Sequence, residues 1–233
     1  GHVLVQRTTP CVPTEPGVAM ARLARQTALL YDETREQLHE GGDERLTLAL
    51  AINADSLATW FHAVIADVAE WSDVVLQVQV EDQGHSAELL RSGSVLAAVS
   101  SDHRPVQGCS VQPLGVLRYR PAAHPALAQR WTAGGTVNWS DMPVVVFNDK
   151  DELQHDLLER QHISPSVVHR VPTSADFAAA VTLGLGWGMV PEPQLDAALA
   201  DGSLVCLSDE VMDVPLFWQR WRLDSPRLDR LTD

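Results

Sequence analysis

Leu46, Leu48, Leu50 and Ile52 alternate with other residues, and the run breaks at Asn53-Ala54-Asp55-Ser56. Leu57, Trp60, Phe61, Val64 and Val68 then recur at three- and four-residue steps. Period two followed by helical period predicts a buried strand at 46–52, a short polar turn and a helix over 56–71. The pattern continues as strand 74–80, helix 84–92 and strand 95–100, with Val74, Val75, Leu76, Val78 and Val80 in one strand and Val95 to Val99 in the next. Strands so continuously apolar, separated by helices, predict a mostly parallel sheet covered on both faces. A strand at 111–120 reads as a crossover. A second round follows: strand 143–147, helix 151–161, strand 167–171, helix 174–183, strand 186–190, helix 192–199 and strand 203–207. A Trp-rich strand, 215–223, and a helix after Pro226 close the chain. Two α/β rounds joined by two crossovers predict a pair of subdomains with a cleft between them.

Ahead of these rounds, residues 3–12 read as a short β segment carrying Arg7. Thr14 then has the character of an N-cap, and Pro16 falls in the first helical turn, where a missing N–H costs little. The helix predicted from Gly17 to about His39 stops at Gly41-Gly42 and would be more than about 30 Å long. Met20, Leu23, Thr27, Leu30, Thr34 and Gln37 form a heptad-like seam along it, with Leu38 beside it. So narrow a seam suits a partner helix better than a broad core face.

Composition changes this picture in three ways. The 233 residues carry a net charge of −14, which opposes the phosphate backbone of nucleic acid and would favour a cationic ligand in any acidic pocket. No apolar run approaches the roughly 18 residues of a membrane span and no secretory leader is visible, which predicts a cytoplasmic protein with no membrane partner. The three cysteines, Cys11, Cys109 and Cys206, are scattered and the nine histidines form no paired motif, so neither a disulfide frame nor a metal site is expected.

The turn at Asn53–Ser56 has the strand–turn–helix form that gathers unpaired backbone N–H groups and the positive end of a helix dipole. Such a spot holds an anion such as a ligand carboxylate, although Asp55 or Ser56 can equally serve as a simple helix cap. Ligands of open α/β sheets sit beyond the carboxyl ends of the strands. Those ends are Asn53–Ser56, Glu81-Asp82 and Ser100-Ser101-Asp102 in the first round, and Asn148-Asp149, Thr173-Ser174 and Pro191-Glu192 in the second. Ser56 and Thr173-Ser174 can hold a carboxylate, while Asp55, Glu81, Asp82, Asp102 and Asp149 can pair with cationic groups.

Gly184-Leu185-Gly186-Trp187-Gly188 does not read as a nucleotide loop, because its glycines end a helix and enter a strand instead of the reverse. Gly184 reads as a left-handed helix cap, with Gly186 and Gly188 allowing close backbone packing. Phe217, Trp218 and Trp221 read as core and lobe contact, not as a base-stacking platform.

The stretch Ile52–Phe61, with Val80-Glu81-Asp82 and Gly184–Gly188, resembles the LysR-type transcriptional regulators, in their lysine- and arginine-responsive, LysG/ArgP-like branch. Thr14-Glu15-Pro16-Gly17 matches the turn that joins their wing to a long linker helix. The resemblance covers the whole chain. It implies a two-lobed, periplasmic-binding-protein-like (type 2) regulatory domain behind that helix. Residues 1–13 would then be a remnant of the DNA-binding wing and 14–42 the dimerisation linker helix. Lobe I would comprise 46–110 and 213–233, and lobe II 111–212.

By the same resemblance Ser56, Asp82, Ser100, Asp149, Thr173 and Pro191 fall on effector-contact positions, joined by Asp55 from the reading of its turn. Met20, Leu23, Thr27 and Leu30 fall on the dimerisation seam. The implied protein is no enzyme and uses no cofactor. Its partners would be lysine, arginine or histidine as effector, further copies of itself in a dimer or tetramer, and promoter DNA reached only through recognition helices expected upstream of residue 1. It would control an amino-acid exporter gene. Two other readings compete: a solute-binding protein for a basic amino acid, and an enzyme with Cys109 or Cys206 as nucleophile. The latter lacks any local nucleophile signature.

Overall fold

The computed structural model describes residues 1–38, 45–81, 86–148, 152–160 and 162–232. Two minimal strands, β1 (Val5–Gln6) and β2 (Val12–Pro13), pair antiparallel ahead of α1 (Glu15–Gln37). Thr14 caps α1: its hydroxyl oxygen accepts from the Gly17 N–H at 3.2 Å and donates to the Val3 carbonyl at 2.6 Å. Gly17 is required by crowding. A Cβ there would collide with the Leu4 carbonyl oxygen, because the hairpin backbone crosses the first turn of the helix.

The first round follows as β3 (Leu46–Ile52), α2 (Ala54–Leu57), α3 (Phe61–Ala69), β4 (Val74–Val80), α4 (Ser86–Ser92) and β5 (Ala97–Ser100). Next come the long β6 (Cys109–Ala123), α5 (Pro125–Trp131) and the small pair β7 (Thr132–Ala133) and β8 (Thr136–Val137). The second round is β9 (Val144–Val146), α6 (Glu152–Arg160), β10 (Val168–Arg170), α7 (Ser174–Thr182), β11 (Gly188–Pro191), α8 (Glu192–Ala200) and β12 (Val205–Cys206). The chain ends with β13 (Met212–Trp221) and α9 (Pro226–Arg230).

These elements form two compact units. One comprises residues 1–53, 61–115 and 215–233, and the other 54–60 and 116–214. In the first unit β3 pairs parallel with β4 and β5, and β5 pairs antiparallel with β13. Its core gathers Ala51, Leu90, Val95, Ala98, Val106, Cys109 and Trp221. In the second unit β11 and β12 pair antiparallel with β6, while β9 and β10 pair parallel. Its core is Ala122, Val145, Phe177, Val181, Val190, Leu195 and Leu204. The ladders are thus mixed, since the long strands β6 and β13 bring the antiparallel pairs that a run of α/β rounds does not announce. β4 is an edge strand, which leaves Val75 45% and Val80 57% exposed despite its apolar run.

The single helix expected over 56–71 is two helices. Thr59 donates from Oγ1 to the Asp55 carbonyl at 2.5 Å, and its N–H bonds the Ser56 carbonyl at 3.3 Å, tightening the chain out of α geometry. The apolar positions do not serve one core: Leu57 and Trp60 lie in the second unit, Phe61 and Val68 in the first. Helix α5 was not expected. His124 caps it, accepting on Nδ1 from the Ala126 N–H at 3.2 Å, with Pro125 as its first residue.

Helix α1 packs on the first unit through Leu29 and Glu33, each 4% exposed. Arg22 and Arg25 donate to the Arg91 and Ser92 carbonyls at the C-terminus of α4, and the Arg22 guanidinium lies 5.3 Å from the Trp221 ring centroid. Met20, Leu23, Thr27 and Leu30 point away from that contact, with Met20 51% and Leu23 56% exposed.

The Gly-rich stretch behaves as its composition requires. Gly184 has φ +82° and its N–H bonds the Val181 carbonyl at the end of α7. A Cβ on Gly186 would lie 2.7 Å from the Pro143 carbonyl, and one on Gly188 would lie 2.6 Å from the Phe177 ring. Trp187 between them is fully buried and meets Trp139 edge to face at 4.8 Å.

Candidate functional site

Of the expected site residues, Asp55, Ser56, Thr173 and Pro191 belong to the second unit and Ser100 to the first; Asp82 and Asp149 lie outside the described residues. Each unit therefore has its own polar strand-end constellation.

In the second unit the centre is Asp55, in the single turn α2. The Tyr119 hydroxyl of β6 donates to its Oδ2 at 2.7 Å, and the Ser174 hydroxyl opening α7 donates to its Oδ1 at 2.6 Å. Gln194 in α8 donates from Nε2 to Ser174 Oγ at 3.3 Å. Pro191 lies opposite Tyr119 in the β6–β11 ladder and stands at the N-cap of α8, so strand pairing carries that helix start to the same place. Tyr119 is 1% exposed, Ser174 5% and Ser56 fully buried, while Asp55 and Gln194 remain partly open.

This arrangement follows from local chemistry. A tyrosine on the inward face of a strand must find an acceptor for its hydroxyl, and Asp55 provides it. The Ser174 proton goes to the carboxylate, so Ser174 Oγ accepts from the Gln194 amide. The direction of the chain, Gln194 to Ser174 to Asp55, is thereby set. A carboxylate accepting two hydroxyl hydrogens keeps about two of its four lone-pair sites. Among the described residues, the acceptor capacity left on this carboxylate suits a cation.

Thr173 stands at the start of α7. It is the N-cap of α7, accepting from the Asp176 N–H at 3.3 Å and donating to the Asp176 carboxylate at 2.5 Å. Its neighbour Ser174 is the hydroxyl that reaches Asp55. Tyr119 and Gln194 escaped the sequence reading. Tyr119 had a usable signal, since it sits in phase with buried Leu117 on an alternating strand; Gln194 had none.

In the first unit Ser100 ends β5, 1% exposed, and its Oγ accepts the Asp102 N–H at 3.0 Å. Asp102 turns its carboxylate back on the Arg104 N–H at 2.9 Å, an Asx turn that holds the loop. Buried Gln219 staples the same loop, donating from Nε2 to the Asp102 and Arg104 carbonyls and accepting the Val106 N–H on Oε1. These hydrogen bonds tie the end of the strand to the loop that follows it. Cys109 is 1% exposed, and burial pushes its thiol up to about 11, which disfavours the reactive thiolate. Among the described residues no group of three or more His, Cys, Asp or Glu side chains could hold a metal ion, and no helix is long and apolar enough to cross a membrane.

The chain matches the family model described as LysR substrate binding domain over residues 39–233. It is 50% identical over 237 residues to the lysine export transcriptional regulatory protein LysG of Corynebacterium efficiens, covering all of this chain and 81% of that protein. Among solved structures it is similar to ArgP from Mycobacterium tuberculosis, with 43% identity and a TM-score of 0.90, over all of this chain and 80% of the other. It is similar also to full-length LysG from Corynebacterium glutamicum with bound effector Arg, with 41% identity and a TM-score of 0.88, over 100% of this chain and 81% of that one. The fold is accordingly the two-lobed, periplasmic-binding-protein-like α/β fold of that domain, and these relatives are transcriptional regulators. The chain belongs to the LysR family of transcriptional regulators, in the branch that contains LysG and ArgP.

Proposed function

We propose that this chain is the effector-sensing and oligomerisation part of a DNA-binding LysR-type regulator that responds to a basic amino acid and controls an amino-acid exporter gene. The observation that carries the reading is the similarity to a LysG whose structure holds Arg as effector, across this whole chain. The second unit supports it with a fixed, partly open carboxylate, Asp55, beside the start of α7. The carboxylate binds the cationic end of the effector. Ser56, Ser100, Thr173 and Pro191 are the further contact positions, with Asp82 and Asp149 joining them.

The regulator works in the cytoplasm and binds its effector without turning it over. The exposed seam of α1 (Met20, Leu23, Thr27, Leu30) joins it to further copies of itself, as a dimer or a tetramer. DNA recognition is not assigned to these residues, whose net charge of −14 opposes a phosphate backbone. Effector binding shifts the protein between states by no more than its differential affinity for them.

Thermal melting in lysine, arginine, histidine and leucine tests the reading. A ligand that binds only the folded chain raises its stability by about 2.7 kcal/mol at a hundred times its Kd. Stabilisation by the basic amino acids and not by leucine is the expected result. Equal or absent shifts with all four would refute it.

A further inference from the structure

Helix α4 ends in a cap that its own segment completes only by half. Its last four carbonyls belong to Leu89, Leu90, Arg91 and Ser92, and a helix end leaves these without the amide donors of a following turn. Gly93, at φ +68°, turns the chain so that the Ser94 N–H donates to the Leu89 carbonyl at 3.0 Å and the Gly93 N–H to the Leu90 carbonyl at 2.9 Å. The other two carbonyls are taken by α1. Arg22 donates from Nη1 to the Arg91 carbonyl at 3.3 Å, and Arg25 from Nη1 to the Ser92 carbonyl at 3.1 Å. Both guanidinium groups thus stand at the negative end of the helix dipole. Helix α1 crosses this cap so closely that a Cβ on Gly93 would lie 2.8 Å from Arg22 Cγ. At the other end of α4, Ser86 is 1% exposed, and its hydroxyl donates to the Val99 carbonyl at 3.2 Å, one residue before Ser100 at the end of β5. A helix of seven residues is therefore bonded to a strand end at its start and to α1 at its finish.

We propose that α4 is a tie between the Ser100 end of β5 and α1, with Arg22 and Arg25 as positioning residues that hold its last turn. The inference rests on the effector reading above, which counts Ser100 among the contact positions. It adds the route by which that strand end and α1 sense one another. A ligand that moves the Ser100 end moves Ser86 with it, and a helix this short shifts as one piece. Its last turn then has two states, capped by the arginines or frayed. By linkage, a change in how α1 is held alters ligand affinity by the same factor.

The test is residue-resolved hydrogen exchange on the whole chain and on two variants, Arg25→Met alone and Arg22→Met combined with Arg25→Met. Methionine keeps a long apolar stem and loses the donors. Circular dichroism melts check folding, and calorimetric titration with arginine sets a saturating concentration for each protein. Without ligand, the Gly93 and Ser94 amides should exchange about tenfold faster in the double variant. With saturating arginine, the wild-type amides of residues 19–26 in α1 should change their exchange rate by about fivefold, the low end of ordinary coupling between sites. In the double variant that response should vanish while the Ser100 amide still responds. Arg25→Met, a substitution at an exposed position, should show a smaller loss of the same kind. An α1 response that survives in the double variant overturns the tie and leaves the effector reading in place. So do wild-type α1 amides that ignore arginine while calorimetry shows it bound. A wild-type chain that gives no arginine heat overturns both.

Discussion

Arg227, in α9, donates from Nη1 to Oε2 of Glu33 at 3.0 Å, and so ties the last helix of the chain to α1. Both residues are buried, at 8% and 4% exposure. The other Glu33 oxygen accepts from the Ser225 hydroxyl, and Arg227 Nε reaches Asp73 Oδ2 at 2.6 Å. A buried ion pair adds little net stability but is costly to break from one side, since the survivor is left charged and unpaired. Its position also fixes which face of α1 meets the first unit, and hence that Met20 and Leu23 face outward. Arg227→Ala should therefore destabilise the chain by about 3 kcal/mol in urea unfolding. Glu33→Gln combined with Arg227→Met should restore much of the loss. A single variant as stable as wild type would show that the pair has no such role.

Gly17 makes a sharper local prediction. Gly17→Ala forces the Leu4 carbonyl away, and that carbonyl also accepts the Thr14 N–H at 3.0 Å. Hydrogen exchange at Thr14 should speed up markedly, with the middle of α1 unchanged. Equal exchange in both proteins would mean that the hairpin does not press on the helix.

The linker seam can be tested by charge. Leu23→Glu together with Leu30→Glu places carboxylates at two exposed apolar positions and should shift the chain toward monomer in sedimentation. An unchanged molecular mass at micromolar concentration would show that self-association uses another surface.

Cys109 gives a prediction in pH. Its folded pKa, near 11, lies above the ordinary value of 9.0, so the native state holds its proton longer than the unfolded chain does. The stability this contributes is complete below about pH 9 and is lost as pH rises toward 11. Cys109→Ala should flatten the stability profile over that window. At pH 8 a thiol reagent should label exposed Cys11 quickly and leave Cys109 unlabelled until the protein unfolds.

How much of this was legible beforehand depended on whether a single core decided the pattern. Strand β3 was readable, since Leu48, Leu50 and Ile52 alternate along it and are all fully buried. Gly184, Gly186 and Gly188 were readable because glycine is favoured at a left-handed cap and where the Pro143 carbonyl or the Phe177 ring leaves no room for a Cβ. The break between α2 and α3 was not, because Trp60 and Phe61 look like one apolar face and serve two units. The Asp55 turn was legible as polar, but its partners were not. Tyr119 lies 64 residues away and Ser174 lies 119, and only the fold brings them to one carboxylate.

Calorimetric titration of the purified chain with arginine, against leucine as control, shows whether it binds basic amino acids. Saturable binding of arginine in the micromolar range, about −8 kcal/mol, with no heat from leucine, is the predicted result. Arginine that binds no better than leucine would contradict the account.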